Sequence, residues 1–222
     1  MARVPRRIRI GLRLGLVAQA TARRDRAAAK VGAARRAAAP KLAAEVEGRL
    51  AALAMPQATL QIEVGEEDPG DRVEFRLAAN PGIDPAPLQR AASGGELSRV
   101  LLALRLVLSG GPDTMVFDEV DAGIGGATAL EVGRALAEVA EGSQVLVVTH
   151  LAQVAAHADQ QVRIAKSIGE EATTTTVEPV DGEARLAELA RMLSGTPDST
   201  ATRSNAEELL ARASRPAVAE RH

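Results

Sequence analysis

The spacing of apolar positions changes several times along the chain, and each change marks a predicted element. Over residues 1 to 20, Ile8, Ile10, Leu12, Leu14 and Leu16 alternate with Arg9, Gly11, Arg13 and Gly15. That is the period of a strand, although no partner run lies nearby. From Thr21 to Met55 the chain turns to Ala, Arg and Glu, and Leu42, Val46, Leu50 and Leu53 recur at helical spacing. This predicts the end of a long helical arm, with Pro40 at a break or in a first turn rather than in a helix interior. Two alternating runs follow, Leu60-Ile62-Val64 and Val73-Phe75-Leu77, separated by a Gly/Asp/Pro stretch from Gly65 to Asp71, which predicts a β-hairpin.

A Pro-rich loop from Asn80 to Pro87 leads to an alternation of helix (96 to 109, striped by Leu97, Leu101, Leu104 and Leu108), strand (114 to 118), helix (127 to 141), strand (144 to 149) and helix (151 to 157). Such an order predicts a parallel sheet with crossover helices. Val116, Phe117 and Val145 to Val148 have no polar alternate, as in strands covered on both faces. Residues 161 to 166 and 172 to 178 predict a second hairpin across Gly169, and helices at 183 to 193 and 199 to 213 complete the pattern.

Composition narrows the class. With 222 residues, 46% hydrophobic and 25% charged, the chain suits one good-sized globular domain plus an appendage and not overall disorder. Aromatic residues make up 1%, with no Trp or Tyr, so the core is aliphatic and base stacking on aromatic platforms is nearly excluded. Without cysteine there are no disulfides or thiolate metal sites, which fits a reducing compartment. No apolar run reaches membrane-spanning length. The net charge of −2 conceals an asymmetry, since residues 1 to 54 carry 13 Lys/Arg against 3 Asp/Glu. A basic segment of this kind is a phosphate-binding arm, a surface that docks on the acidic remainder, or a solvated helix.

Three segments carry candidate chemistry. Ser93-Gly94-Gly95-Glu96-Leu97-Ser98-Arg99 puts two glycines at a helix start, where unpaired N–H groups and the helix dipole favour a phosphate. Met115-Val116-Phe117-Asp118-Glu119 ends a strand on two carboxylates. One of them can hold Mg²⁺ and the other can orient an attacking water. The glycine cluster Asp121-Ala122-Gly123-Ile124-Gly125-Gly126 follows, and Val145 to Val148 ends in Thr149-His150, at the edge of a parallel sheet where ligands gather. Taken singly each has a plainer reading: a helix cap, an acidic βα turn, a flexible turn, a surface histidine. Their order and spacing make a joint pattern that chance seldom assembles. His157 and His222 have no such setting. The chain contains no G-x-x-x-x-G-K-[ST] loop, and its only lysines are Lys30, Lys41 and Lys166.

These segments resemble the signature motif (Ser93 to Arg99), Walker B strand (Met115 to Glu119), D-loop (Asp121 to Gly126) and switch histidine (His150) of an ABC-type ATPase. Within that class they resemble the RecN family of bacterial, SMC-like DNA-repair proteins, as do Val147-Val148-Thr149-His150-Leu151-Ala152-Gln153-Val154-Ala155 and the run from Arg185 to Gly195. The resemblance covers roughly Arg35 to Leu210 and corresponds to the carboxyl-terminal half of such a protein. It implies an α/β fold, the carboxyl-terminal lobe of an ABC/SMC-type P-loop ATPase head after a helical coiled-coil arm. Residues 1–55 would be the basic arm, 56–215 the lobe and 216–222 a tail. By the same resemblance Ser93, Gly94 and Gly95 contact the γ-phosphate of ATP held by an opposite head, and Glu96 and Asp121 count with them as cofactor-binding residues. Asp118 serves Mg²⁺, Glu119 acts on water, Asp121 helps signal across the interface, and His150 touches the γ-phosphate. The implied partners are DNA and a Walker A-bearing amino-terminal half or second head, with no membrane. The implied work is recombinational repair of double-strand breaks at the nucleoid of the bacterial cytoplasm.

Two departures from the family shape the expectation. Residues 1 to about 30 lack the Leu/Glu heptads of the family's arm, and the phosphate loop is missing from this sequence, through a shifted reading frame or because it arrives on a separate chain. The chain alone is then expected to hydrolyse ATP negligibly and to expose apolar surface that an amino-terminal lobe would cover. Competing readings are a subunit of another ABC ATPase, such as a transporter's nucleotide-binding subunit, and a non-enzymatic module. Such a module would dock on a complete head, or on DNA through Arg23, Arg24, Arg26, Lys30, Arg35 and Arg36.

Overall fold

A computed structural model describes residues 6–108, 110–168, 173–194 and 200–213 of the chain, which forms two compact units. The first comprises the described residues to Glu47 together with Ala58–Ala91. Its main element is helix α1 (Arg6–Ala52), 47 residues long. The strand expected over residues 1 to 20 is therefore corrected to helix from Arg6. A lone strand leaves its backbone groups unpaired, whereas a helix pairs them within the segment, and Arg, Leu and Ala are strong helix formers. Pro40 also departs from expectation, since it lies inside α1. Its missing N–H removes a helical bond at a cost of about 3 kcal/mol. The buried face on either side of it, Ala39, Ala43, Val46 and Leu50, offsets that loss.

Strands β1 (Thr59–Val64) and β2 (Val73–Ala78) pair antiparallel in the register Leu60↔Leu77 and Ile62↔Phe75, as the alternating pattern predicts. A short β3 (Ala86–Pro87) adds to β2, where only a loop was expected, and α2 (Leu88–Ala91) follows. The hairpin loop folds onto α1. Arg35 Nη1 donates to Asp71 Oδ1 at 2.7 Å, and Arg36 Nη2 donates to Asp68 Oδ1 at 2.6 Å. Gly32 explains the closeness, because a Cβ there would strike both Asp68 Oδ1 and Arg36 Nη2. Glu47 Oε1 accepts the Leu60 N–H at 2.7 Å, satisfying the edge of β1.

The second unit contains Gly48–Gln57 and everything described from Ala92 on. Its centre is a parallel pair, β4 (Thr114–Phe117) and β5 (Gln144–Val147), in the register Val116↔Leu146. Helices α3 (Gly94–Val107) and α4 (Gly126–Ala140) precede and connect these strands. Then come α5 (Ala152–Ala155), the antiparallel hairpin β6 (Gln161–Ile168) and β7 (Thr173–Val180), α6 (Gly182–Ser194) and α7 (Thr200–Ala213). Ala152, Ala155, Leu186, Leu189, Ala206 and Leu209 join α5, α6 and α7 in one core cluster. Gly169, His222 and the tail 216–222 lie outside the described residues.

Two packing expectations are corrected. The parallel strands are covered on one face only: Phe117 is 3% exposed, whereas Val116, Leu146 and Val148 are 67%, 50% and 59% exposed. The leucine stripe of α3 is only partly buried, at Leu97 and Leu104. Leu101 and Leu108 are half exposed, and the buried residues are Gly95, Arg99, Val100, Leu102 and Ala103. The helix is rotated so that Arg99 points inward. Among the described residues no helix is long and apolar enough to cross a membrane.

Candidate functional site

The site is built at the carboxyl ends of β4 and β5, where α3 begins. Ser93 is the N-cap of α3, and Glu96 completes a reciprocal capping box, the arrangement that satisfies two otherwise orphaned helix donors. Glu96 Oε2 accepts from the Ser93 N–H at 2.8 Å and from its hydroxyl at 3.0 Å. Ser93 and Glu96 are thus engaged with each other. The first-turn N–H groups of Gly94 and Gly95 have no helical acceptor, which is the general condition for anion binding at such an end.

The two glycines also permit a close approach within the chain. A Cβ on Gly94 would strike the Glu119 carboxylate, and one on Gly95 would lie 2.8 Å from Ala122 Cβ and 2.9 Å from the Glu119 carbonyl. The start of α3 therefore rests on the loop that follows β4. Two further contacts fasten it there. Ser98 Oγ donates to the Asp118 carbonyl at 2.7 Å, and Arg99 Nη1 donates to the carbonyls of Val120 and Ala122 at 3.3 and 2.9 Å. Burial pushes the Arg99 pKa down, and the neighbouring Glu96 charge opposes that shift. The guanidinium stays charged at neutral pH all the same.

Asp118 and Glu119 are both exposed. Asp118 Oδ1 accepts the Glu119 N–H at 2.9 Å, which leaves its other carboxylate oxygen toward solvent. Glu119 has φ of 55°, a left-handed conformation uncommon outside glycine and frequent at functional turns. Asp121 differs from both in being buried, 3% exposed. Its Oδ2 accepts from the Thr149 hydroxyl and from the His150 N–H at 3.1 Å, and it faces His150 Nδ1 at 3.1 Å. The His150 ring itself is largely exposed.

All eight residues singled out in the sequence, Ser93, Gly94, Gly95, Glu96, Asp118, Glu119, Asp121 and His150, thus lie in one contiguous set of three chain segments. His157 belongs elsewhere: its Nδ1 lies 2.9 Å from the Gln153 carbonyl and its ring packs over Gly133 of α4. Sequence reasoning missed the work of Ser98, Arg99 and Thr149. A buried arginine reads as surface in a sequence, and only the inward rotation of α3 reveals it. Among the described residues no group of three or more His, Cys, Asp or Glu could cage a metal. One exposed carboxylate with a free oxygen, Asp118, nevertheless fits Mg²⁺, which is bound by one or two carboxylates and completed by waters and substrate phosphates.

No family model matches the chain. It is similar to the DNA repair protein RecN of Streptomyces coelicolor, 44% identical over 216 residues, which cover 86% of this chain and 38% of that protein. It is also similar to the DNA repair protein RecN of Deinococcus radiodurans, 48% identical over 168 residues, 76% of this chain and 28% of the relative. The match therefore spans 38% and 28% of the length of these two relatives. Among solved structures, the Smc head domain with a coiled coil and joint from Pyrococcus yayanosii superimposes with a TM-score of 0.50 at 23% identity, covering 69% of this chain and 29% of that one. This likeness establishes a shared fold.

Proposed function

From the premise that this chain is a RecN homologue with the fold of an SMC head lobe, corresponding to the carboxyl-terminal part of its relatives, we propose that it supplies half of an ATP site. The observation that carries the reading is the single surface formed by Gly94, Gly95, Asp118, Glu119 and His150. In this reading the N–H groups of Gly94 and Gly95 receive the γ-phosphate of a nucleotide held by an opposing head. Asp118 would hold Mg²⁺, which when bound would supply positive charge against the phosphate. Glu119 orients the attacking water, and His150 contacts the γ-phosphate. The whole assembly would act in recombinational double-strand-break repair at the bacterial nucleoid.

No G-x-x-x-x-G-K-[ST] loop occurs in these 222 residues, and in this reading the complementary residues are supplied from outside them. Such a loop provides several backbone donors and a cation together, and one preorganised donor alone is worth about 10²- to 10³-fold in rate. The test mixes the purified chain with a Walker A-bearing amino-terminal segment of a RecN relative and measures ATP turnover. Neither part should turn over ATP alone and the pair should. Glu119→Gln should lower the pair's turnover by about 10²-fold or more. Turnover by the isolated chain that Glu119→Gln abolishes would sink the half-site reading, and so would a tight pair with no activity.

The basic arm favours DNA as a second partner. Arg23, Arg26 and Lys30 are exposed, lie at i, i+3 and i+7 on one side of α1, and make no ion pair among the described residues. Such a ridge suits a phosphate backbone and is indifferent to base sequence.

A further inference from the structure

Only three charged residues are buried in the described chain, Arg99, Asp121 and Glu188. Glu188 is paired with Arg191 at 2.6 Å. The other two meet in one loop without touching each other. Arg99 grips the carbonyls of Val120 and Ala122, on either side of Asp121, and Asp121 reaches across to Thr149 and His150. A buried carboxylate is retained at a cost unless its oxygens are well satisfied. Here one oxygen accepts from a hydroxyl and a backbone N–H, and an imidazole nitrogen lies 3.1 Å from it.

The chemistry of the pair fixes a tautomer. An ionised carboxylate only accepts, so the ring nitrogen facing it carries the hydrogen. His150 Nδ1 is that nitrogen, at 3.1 Å, and the ring is otherwise 75% exposed. Nε2 is then the ring nitrogen that faces away from Asp121 and is free to accept. We propose that Asp121 is the positioning residue of His150, fixing its ring through Nδ1 and presenting Nε2 to the nucleotide phosphate, and that Arg99 holds Asp121 in place for this. The proposal rests on the half-site reading for the identity of the ligand. It differs from the family resemblance in giving Asp121 a partner in its own chain rather than across a head interface.

The test reads the imidazole nitrogens of the 222-residue chain by ¹⁵N NMR at about pH 8, above the ordinary histidine pKa of roughly 6.5. His157→Gln and His222→Gln assign the signals. His150 should be a single Nδ1–H tautomer, and Asp121→Ala should convert it to an averaged mixture while circular dichroism is unchanged. Arg99→Met keeps a long side chain but can donate to neither the Val120 nor the Ala122 carbonyl, so it should shift His150 in the same direction. It is also the deciding variant if Asp121→Ala fails to fold. A wild-type Nε2–H tautomer, or an unaltered Nδ1–H signal in the folded variants, would overturn the proposal.

In the reconstituted pair both variants should lower kcat at least about tenfold with KM for ATP changed less than about twofold, the mark of lost orientation rather than lost binding. A kcat left intact despite an averaged ring would also overturn it. If instead the wild-type pair shows no hydrolysis while the tautomer results hold, the ATP reading fails and the positioning role stands.

Discussion

Gly95 shows how one residue can serve two ends. Its N–H lies in the first turn of α3, and its missing side chain lets that turn settle on the Glu119 carbonyl and Ala122 Cβ, 2.9 and 2.8 Å from where a Cβ would be. Neither neighbour is the far end of a flexible side chain, so neither can move aside cheaply. Gly95→Ala should therefore destabilise the chain by about 1–3 kcal/mol, the usual range for overpacking, despite alanine's better helix propensity. A denaturant midpoint that rises instead would show that the loop is not held where it is found. The glycine is visible in the sequence, but its packing reason is not, because Gly95 and Glu119 are twenty-four positions apart in the chain.

At the scale of elements, α1 divides its basic residues between two tasks. Arg35 and Arg36 are committed to Asp71, Asp68 and the carbonyls of the hairpin loop, whereas Arg23, Arg26 and Lys30 are exposed and make no ion pair among the described residues. If DNA is a partner, replacing each of the latter with Ala should reduce the slope of log affinity against log salt by about 1. Arg35→Ala and Arg36→Ala should leave that slope unchanged and loosen the hairpin instead. Fluorescence anisotropy with duplex DNA over a salt series measures this. Binding insensitive to salt, or an equal loss from all five variants, would reject the division. The sequence groups all these arginines together, and only the fold of the hairpin loop onto α1 separates them.

At the scale of the molecule, the second unit leaves an aliphatic strip open along β4 and β5, formed by Val116, Leu146 and Val148. An unrelieved apolar run predicts burial on both faces, yet one face is bare, which is what an incomplete layer leaves. Val116→Thr with Val148→Thr should leave stability within about 0.5 kcal/mol, since both side chains are already exposed. The pair should lower the fluorescence of a bound hydrophobic dye and weaken association with the Walker A-bearing segment. Strong destabilisation of the lone chain would mean that the strip is covered from within.

The local pattern of residues was enough for the βαβ order, both hairpins, the later helices and the three segments that bear the candidate chemistry, because periodicity, glycine and chain order are local properties. The alternation over residues 6 to 20 points to a strand where the chain is helical, since alternation reports a face to be buried and cannot report that no partner strand exists. The tertiary structure decided the rest: which way α3 turns, that Arg99 and Asp121 are the buried charges of the site, and which face of β4 and β5 stays open. Each depends on contacts between segments twenty or more residues apart, and such contacts leave no periodic trace in the chain.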